Sequence, residues 1–351
     1  MSCHYNERMG EYDARAGELH AWLTSGLGMP VDRLTLASAD ASFRRYFRAH
    51  ANGRSWVVMD APPGHEDVRP YLKVSRLLEA TGVHVPHVHE SDIDQGFVLL
   101  EDLGSTAYLA PLARGEDVDR LYGEALEALA AIQVRGREAA RELPPYDERA
   151  LTRELELMPE WFCARHLRLQ LGDDELALLV RTFDFLVREA LAQPRVFVHR
   201  DYHSRNLMVV DDRNPGIIDF QDALEGPIGY DLVSLLKDCY IAWPRARTIG
   251  WLREYRRRIA REGLAAGASE REFLRWFDLV GVQRHLKVLG IFARLWYRDG
   301  KRGYLADLPL TLDYLRDACA RYSELQAFAR WLEARVVAAL PAANARELAL
   351  R

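Results

Sequence analysis

Short apolar runs separated by turn residues fill the first third of the chain and predict β-strands. These runs lie at residues 34–36, 45–47, 56–59, 85–89 and 97–100. Asn52-Gly53, between the second and third runs, is a hairpin-turn signal, so the first three runs predict a meander. A helical pattern over residues 68–80 follows the meander, and a lead-in helix within the first 24 residues precedes it. The pattern predicts a small, β-rich first unit.

The rest of the chain shows the helical spacing of apolar residues, with one interruption. Helices are predicted over residues 121–132, 151–169, 175–191 and 273–295. Three short apolar runs at residues 196–198, 207–210 and 217–218 interrupt the helices and predict a hairpin. We therefore expect an α+β fold of two lobes. Residues 1–102 would form a small β-rich N-lobe with its accessory helix, and residues 103–351 a larger, mostly helical C-lobe.

Composition argues against several classes of protein. The formal net charge of −5 is mild and Lys and Arg are dispersed, so no nucleic-acid footprint is predicted. The four cysteines, at positions 3, 163, 239 and 319, form no Cys-x-x-Cys pair, which argues against a zinc site or a disulfide framework. The N-terminus lacks a signal core, and no apolar run approaches the ~20 residues of a membrane span. We expect a cytoplasmic protein without nucleic-acid, membrane or protein partners.

Three oxygen-bearing residues around the predicted hairpin are spaced as in a phosphotransferase site. Asp201 follows the first run, Asn206 closes the loop before the second, and Asp219 ends the third. A hairpin returns Asp219 beside Asn206, where both can supply the hard oxygen ligands that Mg²⁺ prefers. Asp201 would be the carboxylate that phosphoryl transfer requires beside the attacking hydroxyl. Any one of these residues alone would be read as a turn or cap residue, but the set predicts chemistry.

A known family shares this pattern. From residue 199 the chain reads His-x-Asp-x-x-x-x-Asn and, thirteen residues after the Asn, Asp-Phe, which resembles the catalytic and metal loops of protein kinases. His203 and the segment 226–232 narrow the resemblance to the aminoglycoside phosphotransferase and choline kinase group. Segments 42–48, 59–63 and 283–294 are similar to the anomeric sugar kinases of cell-wall recycling, which phosphorylate N-acetylmuramate and N-acetylglucosamine.

The resemblance implies a protein kinase-like fold and assigns roles around the hairpin. Asp201 would be the catalytic residue, Asn206 and Asp219 would bind Mg²⁺, and ATP would be the co-substrate. His199 would brace the catalytic loop. Asp231 would hold the same loop from the following helix, where it also has the position of an N-cap.

The expected phosphate grip departs from the family pattern. Kinases of this kind carry a Lys on the third strand of the small lobe, but Met59 stands there and no Lys occurs before residue 68. An Arg fork can bind phosphate oxygens in its place, although a solvated strand edge is the alternative for these arginines. The residues predicted to bind the nucleotide are Ser42, Phe43, Arg44, Arg45, Glu101 and Leu103. The last two belong to a hinge-like segment expected to hold the adenine.

The acceptor is expected between the catalytic loop and the helices after it. The residues predicted to contact it are His203, Asp222, Glu225, Lys287 and Arg294. For His203 a structural hydrogen bond is the alternative. Lys287 and Arg294 share one side of a helix with Gln283 and Arg298, and such a charged stripe is more often a solvated face. If the stripe binds substrate, its cations would suit the lactyl carboxylate of N-acetylmuramate.

The sequence thus favours an ATP- and Mg²⁺-dependent kinase that phosphorylates the anomeric (C1) hydroxyl of N-acetylmuramate or N-acetylglucosamine in peptidoglycan recycling. The alternatives are an aminoglycoside or choline kinase and, because the small-lobe Lys is absent, a catalytically silent nucleotide-binding protein. A choline site would need an aromatic cage, for which the candidates are Trp243, Trp296 and Tyr297. An aminoglycoside site would need carboxylates, for which the candidates are Asp222, Glu225 and Asp238.

Overall fold

A five-stranded antiparallel sheet forms the N-terminal lobe. The structure is a computed structural model that describes residues 14–39 and 43–349. A helix over residues 14–21 (α1) continues into a π-helical turn, Trp22–Gly26, and precedes the sheet. The strands are β1 (Arg33–Ala39), β2 (Arg45–Ala51), β3 (Arg54–Asp60), β4 (Val88–Asp92) and β5 (Phe97–Glu101), in the order β1-β2-β3-β5-β4. Helix α2 (Arg69–Glu79) connects β3 to β4, as the pattern of residues 68–80 predicts.

Both faces of this sheet are buried. Alternation along β2 and β3 sends Phe47 and Val58 to one face, where they pack with Leu19 and Leu23 of the lead-in helix. Met59 points to the opposite face and joins the main core. The lead-in helix is described from residue 14 onwards, and the first 13 residues, with Cys3, lie outside the described part of the chain.

Helices build the C-terminal lobe around one central helix. In chain order they are α3 (Leu109–Ala113), α4 (Val118–Arg135), α5 (Arg137–Ala140), α6 (Glu148–Leu155), α7 (Asp173–Leu191), α8 (Tyr230–Leu236), α9 (Arg245–Arg261), α10 (Glu270–Asp299), α11 (Leu308–Cys319), α12 (Gln326–Trp331) and α13 (Ala338–Leu348). The middle of α10 is buried on every side, so α10 is the core of the lobe. No helix within the described residues has the length and apolar character needed to cross a membrane.

Four short strands carry the loops between α7 and α8. They are β6 (Arg195–Val198), β7 (Leu207–Met208), β8 (Gly216–Ile217) and β9 (Leu224–Pro227), with β6 paired to β9 and β7 paired to β8. The α+β, two-lobed prediction is confirmed in this architecture. The lobe boundary after residue 102 stays a prediction, although β5, the last strand of the sheet to be reached along the chain, ends at Glu101.

Two element predictions are wrong in extent. The single helix expected over residues 151–169 is divided into α6 and a π-helical segment, Met158–His166. Pro159 explains the break, because proline lacks the N–H that would continue the helix and its ring clashes with the preceding turn. The strand expected at residues 85–89 begins three residues later, at Val88.

Gly290 marks a close approach of the central helix to Leu157. A Cβ at this position would lie 2.5 Å from the backbone carbonyl carbon of Leu157. We expect Gly290→Ala to lower the free energy of unfolding by about 1–3 kcal/mol, because the rigid backbone of Leu157 must move. Gly123→Ala in α4 is the control, since nothing lies within 4 Å of its added methyl. Helix propensity should make that variant more stable by about 1 kcal/mol in urea unfolding, and equal effects of the two changes would contradict the packing argument.

Candidate active site

The β7–β8 hairpin brings Asn206 and Asp219 together. Leu207 pairs with Ile217 and Met208 with Gly216, so the residues flanking this short ladder become neighbours. The backbone N–H of Ile218 donates to the carbonyl of Asn206 at 3.1 Å. The Asn206 amide nitrogen then donates to the Asp219 carboxylate at 3.2 Å and to the backbone carbonyl of Asp201 at 3.0 Å. One amide therefore links the three residues that the sequence singles out.

Asp231 supports the backbone that precedes Asp201. Its carboxylate accepts the backbone N–H groups of His199 at 2.7 Å and Arg200 at 3.0 Å. The hydroxyl of Ser234, one turn further along α8, donates to the carbonyl of Arg200 at 3.1 Å. Arg200 needs this support because its φ of +79° lies in the left-handed region, which costs energy for a residue with a side chain.

The His199 ring connects the catalytic loop to Ile218, the residue that follows β8. Its Nδ1 accepts the backbone N–H of Asp201 at 3.3 Å, and its Nε2 lies 3.1 Å from the carbonyl of Ile218. A neutral ring with its proton on Nε2 satisfies both contacts. The ring is fully buried, and burial lowers the pKa of His199 to about 4.

This geometry predicts a pH-dependent stability. Between its unfolded pKa of 6.5 and its folded pKa of about 4, His199 binds a proton only in the unfolded chain, so lowering the pH favours unfolding. Between pH 6.5 and pH 5, the unmutated protein should therefore lose about 2 kcal/mol of unfolding free energy through His199. His199→Gln keeps a donor and an acceptor but cannot take up this proton, so we expect it not to show this loss. Urea unfolding at several pH values measures this. His20→Gln is the exposed control, and parallel pH profiles for His199→Gln and the unmutated protein would refute the burial argument.

Asp201 lies above a buried network of charges. Lys287 of α10 donates to the hydroxyl of Tyr230 at 2.9 Å and pairs with Glu154 of α6 at 3.0 Å, and Arg200 also contacts Glu154 at 2.6 Å. Burial raises the pKa of Asp201, but the charges of Lys287, His203 and Arg200 outweigh it and lower the value to about 2. Asp201 is therefore ionised at any physiological pH.

A cavity of about 390 Å³ lies between the lobes. Glu101 and Leu103 line it, together with Asn206 and Asp219 at its inner end. Arg48 of β2 also lines it and forms a bidentate pair with Asp102, with nitrogen to oxygen distances of 2.7 and 2.9 Å. Residues of both lobes give the cavity a mostly apolar wall with a few charged groups, Arg48, Glu101 and Asp219, which is the usual character of a small-molecule site.

The arginines predicted to grip phosphates are not brought to this cavity. Arg45 pairs with the buried carboxylate of Asp60, with a 3.1 Å contact from Nε, and Asp60 also accepts from Arg15 at 3.0 Å. A buried carboxylate needs such cations, which explains why Arg45 points to it. Arg44 lies 4.0 Å from Glu66.

The remaining predictions for the small lobe concern Phe43, Ser42 and the position of the missing Lys. Phe43 stacks on His65 with ring centroids 4.4 Å apart and is outside the cavity wall, and Ser42 lies outside the described residues. Met59, in the position of the usual Lys, is fully buried. Tyr71 of α2, which was not among the predicted residues, lines the cavity. Its ring contacts that of Phe220, next to Asp219, with centroids 4.7 Å apart.

A second cavity, of about 240 Å³, lies on the other side of the catalytic loop. Asp201, His203 and Lys287 line it, and Asn206 and Asp219 line it as well as the first cavity. The proposed metal pair thus stands where the two cavities meet. A donor and an acceptor bound on either side would have their reacting groups beside Asp201.

Three predicted acceptor residues do not line the second cavity. Glu225, on β9, pairs with Arg195 at 3.0 Å, and the carbonyl of Asp222 lies 3.5 Å from Arg200. Arg294 lies further along α10 than Lys287, and its Nε is buried without a hydrogen-bond partner. The aromatic residues considered for a choline cage are also elsewhere, since Trp243 packs on Tyr122 with a 5.9 Å centroid distance.

The solvated-face interpretation of α10 is wrong for Gln283 and Lys287. They are 0% and 6% exposed, because α10 is surrounded by other helices and has no solvent side at its middle. Sequence reasoning missed two residues of this region, Arg284 of α10 and Glu154 of α6. Arg284 does not belong to the charged stripe of α10, which consists of Gln283, Lys287, Arg294 and Arg298. No pattern in the sequence indicates which residues of other helices Arg284 contacts.

The oxygen atoms at the junction fit a magnesium ion. The Asn206 amide nitrogen makes the hydrogen bonds to Asp219 and Asp201, so these bonds do not use the Oδ1 of Asn206. Gln221 donates to the other oxygen of Asp219 at 2.8 Å, and the Oε1 of Gln221 is buried without a partner. Within the described ranges, no group of three or more His, Cys, Asp or Glu residues is arranged so that it could hold a metal ion. Mg²⁺ does not require one, because it takes one or two protein oxygens and completes its shell with water and phosphate.

Known structures share this architecture. An ADP-bound aminoglycoside phosphotransferase superposes with a TM-score of 0.57 at 15% identity, covering 86% of this chain and 98% of that one. The choline kinase of Streptococcus pneumoniae superposes with a TM-score of 0.57 at 13% identity, covering 86% of this chain and 99% of the other. At these identities the similarity shows the fold, a two-lobed kinase-like one.

Sequence relatives add to this likeness. A protein of Pseudomonas aeruginosa named N-acetylmuramate/N-acetylglucosamine kinase is 50% identical over 323 residues, covering 89% of this chain and 94% of its own length. A Pseudomonas putida protein of the same name is 44% identical over 327 residues, covering 90% and 95%. The model of the phosphotransferase enzyme family matches residues 33–277, which include the β7–β8 hairpin and Asp201, Asn206 and Asp219. This chain therefore belongs to the phosphotransferase enzyme family.

Proposed function

We propose that the protein transfers the γ-phosphoryl group of ATP to the anomeric hydroxyl of N-acetylmuramate and N-acetylglucosamine, in the cytoplasmic recycling of peptidoglycan sugars. The observation that carries the proposal is the meeting of two cavities at Asn206 and Asp219, with Asp201 on the acceptor side. The names of relatives with 44–50% identity supply the acceptor.

In this mechanism Asp201 accepts a hydrogen bond from the sugar hydroxyl and orients it toward the phosphoryl group. An ionised carboxylate suits that role, and the low pKa of Asp201 keeps it ionised. Because the transition state of phosphoryl transfer is loose, alignment and charge neutralisation contribute more than early removal of the proton. The network of Lys287, Glu154 and Arg200 holds the surroundings of Asp201 rigid.

Asn206 and Asp219 would hold Mg²⁺, and water and phosphate oxygens would complete its shell. When bound, Mg²⁺ would supply positive charge that offsets the charge of the phosphate oxygens during transfer. Glu101 and Leu103 line the cavity proposed for the nucleotide, and backbone groups of their segment would hold the adenine.

The second cavity, which we call the acceptor cavity, argues against an aminoglycoside or choline kinase. Three carboxylates (Asp201, Asp219 and Asp238) and three cations (Arg205, Arg284 and Lys287) line it, so the wall lacks the excess of negative charge that would suit a polycationic aminoglycoside or a choline head group. Of the carboxylates considered for an aminoglycoside, Asp238 lines the cavity, but it accepts both the backbone N–H and the hydroxyl of Ser204. An uncharged or anionic sugar fits this wall better.

The proposal is tested by ADP formation with Mg-ATP and a panel of N-acetylmuramate, N-acetylglucosamine, choline and kanamycin. Phosphorylation at C1 removes the reducing end, so loss of reducing sugar should match ADP formed. The methyl glycoside of N-acetylglucosamine, whose C1 oxygen is blocked, is the matched control and should not react. Turnover of the glycoside would move the reaction to another hydroxyl, and no turnover with any acceptor would favour a silent nucleotide-binding protein.

A further inference from the structure

Arg284 is a buried cation on the wall of the acceptor cavity. It is 4% exposed and lies on α10, next to Gln283 and one turn before Val288. Its contacts are a 3.7 Å approach of one terminal nitrogen to the Sγ of Cys239 and a distant one, 5.9 Å, to the ring of Tyr230. Its Nε is buried without a hydrogen-bond partner.

The other two cations of the cavity are already neutralised. Lys287 pairs with Glu154 at 3.0 Å, and Arg205 lies 3.5 Å above the Tyr240 ring and 4.0 Å from Asp307. Among the described residues that line this cavity, Arg284 is the cation for which no carboxylate lies within 4.0 Å. Removing a guanidinium from water without an anion is costly, so the arrangement is favoured when a ligand brings the anion.

Resting on the function proposed above, we infer that Arg284 binds the lactyl carboxylate of N-acetylmuramate and sets the preference for this sugar over N-acetylglucosamine. The guanidinium fork suits a carboxylate, with two parallel hydrogen bonds. Both Arg284 and Asp201 line the same cavity, so a sugar held with its C1 hydroxyl at Asp201 has its lactyl group within the same enclosed space. N-acetylglucosamine lacks that group and leaves Arg284 unpaired.

The two sugars provide the test, because they differ at the lactyl ether. We expect Arg284→Met to lower kcat/KM for N-acetylmuramate about 10- to 150-fold, the range for a hydrogen bond to a charged group. The value for N-acetylglucosamine should change less than about 3-fold, and Arg284→Lys should recover part of the loss. Arg298→Met, an exposed residue of the same helix paired with Asp299, is the control and should leave both values unchanged.

A second measurement needs no variant. The methyl ester of N-acetylmuramate keeps the shape of the lactyl group but removes its charge, and the unmutated protein should use it about 10-fold less efficiently or worse. Equal losses for both sugars in Arg284→Met would show instead that Arg284 acts on the phosphoryl group or on Asp201, and would overturn the inference. Equal use of acid and ester would do the same. If the unmutated protein turns over neither sugar, the proposed function itself fails.

Discussion

Asp201→Asn should lower turnover by about 10³-fold or more while Mg-ATP still binds. The amide keeps the shape of the side chain but loses the charge that attracts and orients the hydroxyl proton, a contribution typically worth 10²–10⁴-fold. ATP binding should persist because Asp201 lines the acceptor cavity and not the cavity between the lobes. Single-turnover kinetics measures the first effect, and calorimetric titration with a non-hydrolysable ATP analogue measures the second.

Asp211→Asn is the matched control for this result. Asp211 is an exposed aspartate in the turn between β7 and β8, so the same change of charge occurs close by in the chain but away from both cavities. It should leave turnover within about 2-fold of the unmutated value, as surface substitutions usually do. Turnover of Asp201→Asn near the unmutated level would remove Asp201 from the mechanism.

Asp219→Asn should reduce turnover by a comparable factor, about 10³, for a different reason. Its carboxylate supplies the one negative charge at the proposed metal pair, since Asn206 is neutral, and metal stabilisation of the reaction is worth several kcal/mol. The Mg²⁺ concentration for half-maximal ADP formation should rise at least 10-fold, and added Mg²⁺ should restore part of the rate. Titrating Mg²⁺ at fixed ATP measures both effects.

The two variants distinguish the two roles. Asp201→Asn should keep the Mg²⁺ dependence of nucleotide binding, whereas Asp219→Asn should shift this dependence to higher Mg²⁺ concentrations. An Asp219→Asn protein that binds Mg-ATP with unchanged affinity would refute the metal assignment, and the hydrogen bonds from Asn206 and Gln221 would then have only a structural purpose.

The strands and most helices could be predicted because their signals are local. The meander of β1 to β3 follows from alternation and the Asn52-Gly53 turn, and α2 and α7 from a regular apolar spacing. The helix predicted over residues 151–169 was wrong because one residue, Pro159, outweighs a favourable apolar pattern.

Interactions between distant segments decide where several of the predicted site residues lie. Arg45 had the position of a phosphate ligand in the sequence, but it pairs across the β2–β3 ladder with Asp60, whose buried carboxylate also accepts from Arg15. The stripe on α10 had the pattern of a solvated face, but burial depends on what surrounds a helix. Nothing within α10 records that other helices cover it.

The sequence alone determined the order and spacing of Asp201, Asn206 and Asp219, and that was sufficient to predict phosphoryl transfer. These residues lie within nineteen positions, and a two-residue ladder is enough to bring them together. Only the tertiary structure decided the acceptor wall. Arg284 and Lys287 lie on α10 and Glu154 lies on α6, more than a hundred residues earlier in the chain. The packing of these helices gives Lys287 a carboxylate partner and leaves Arg284 available to a ligand. Spacing along the chain carries no information about such contacts, because they depend on the path of everything between them.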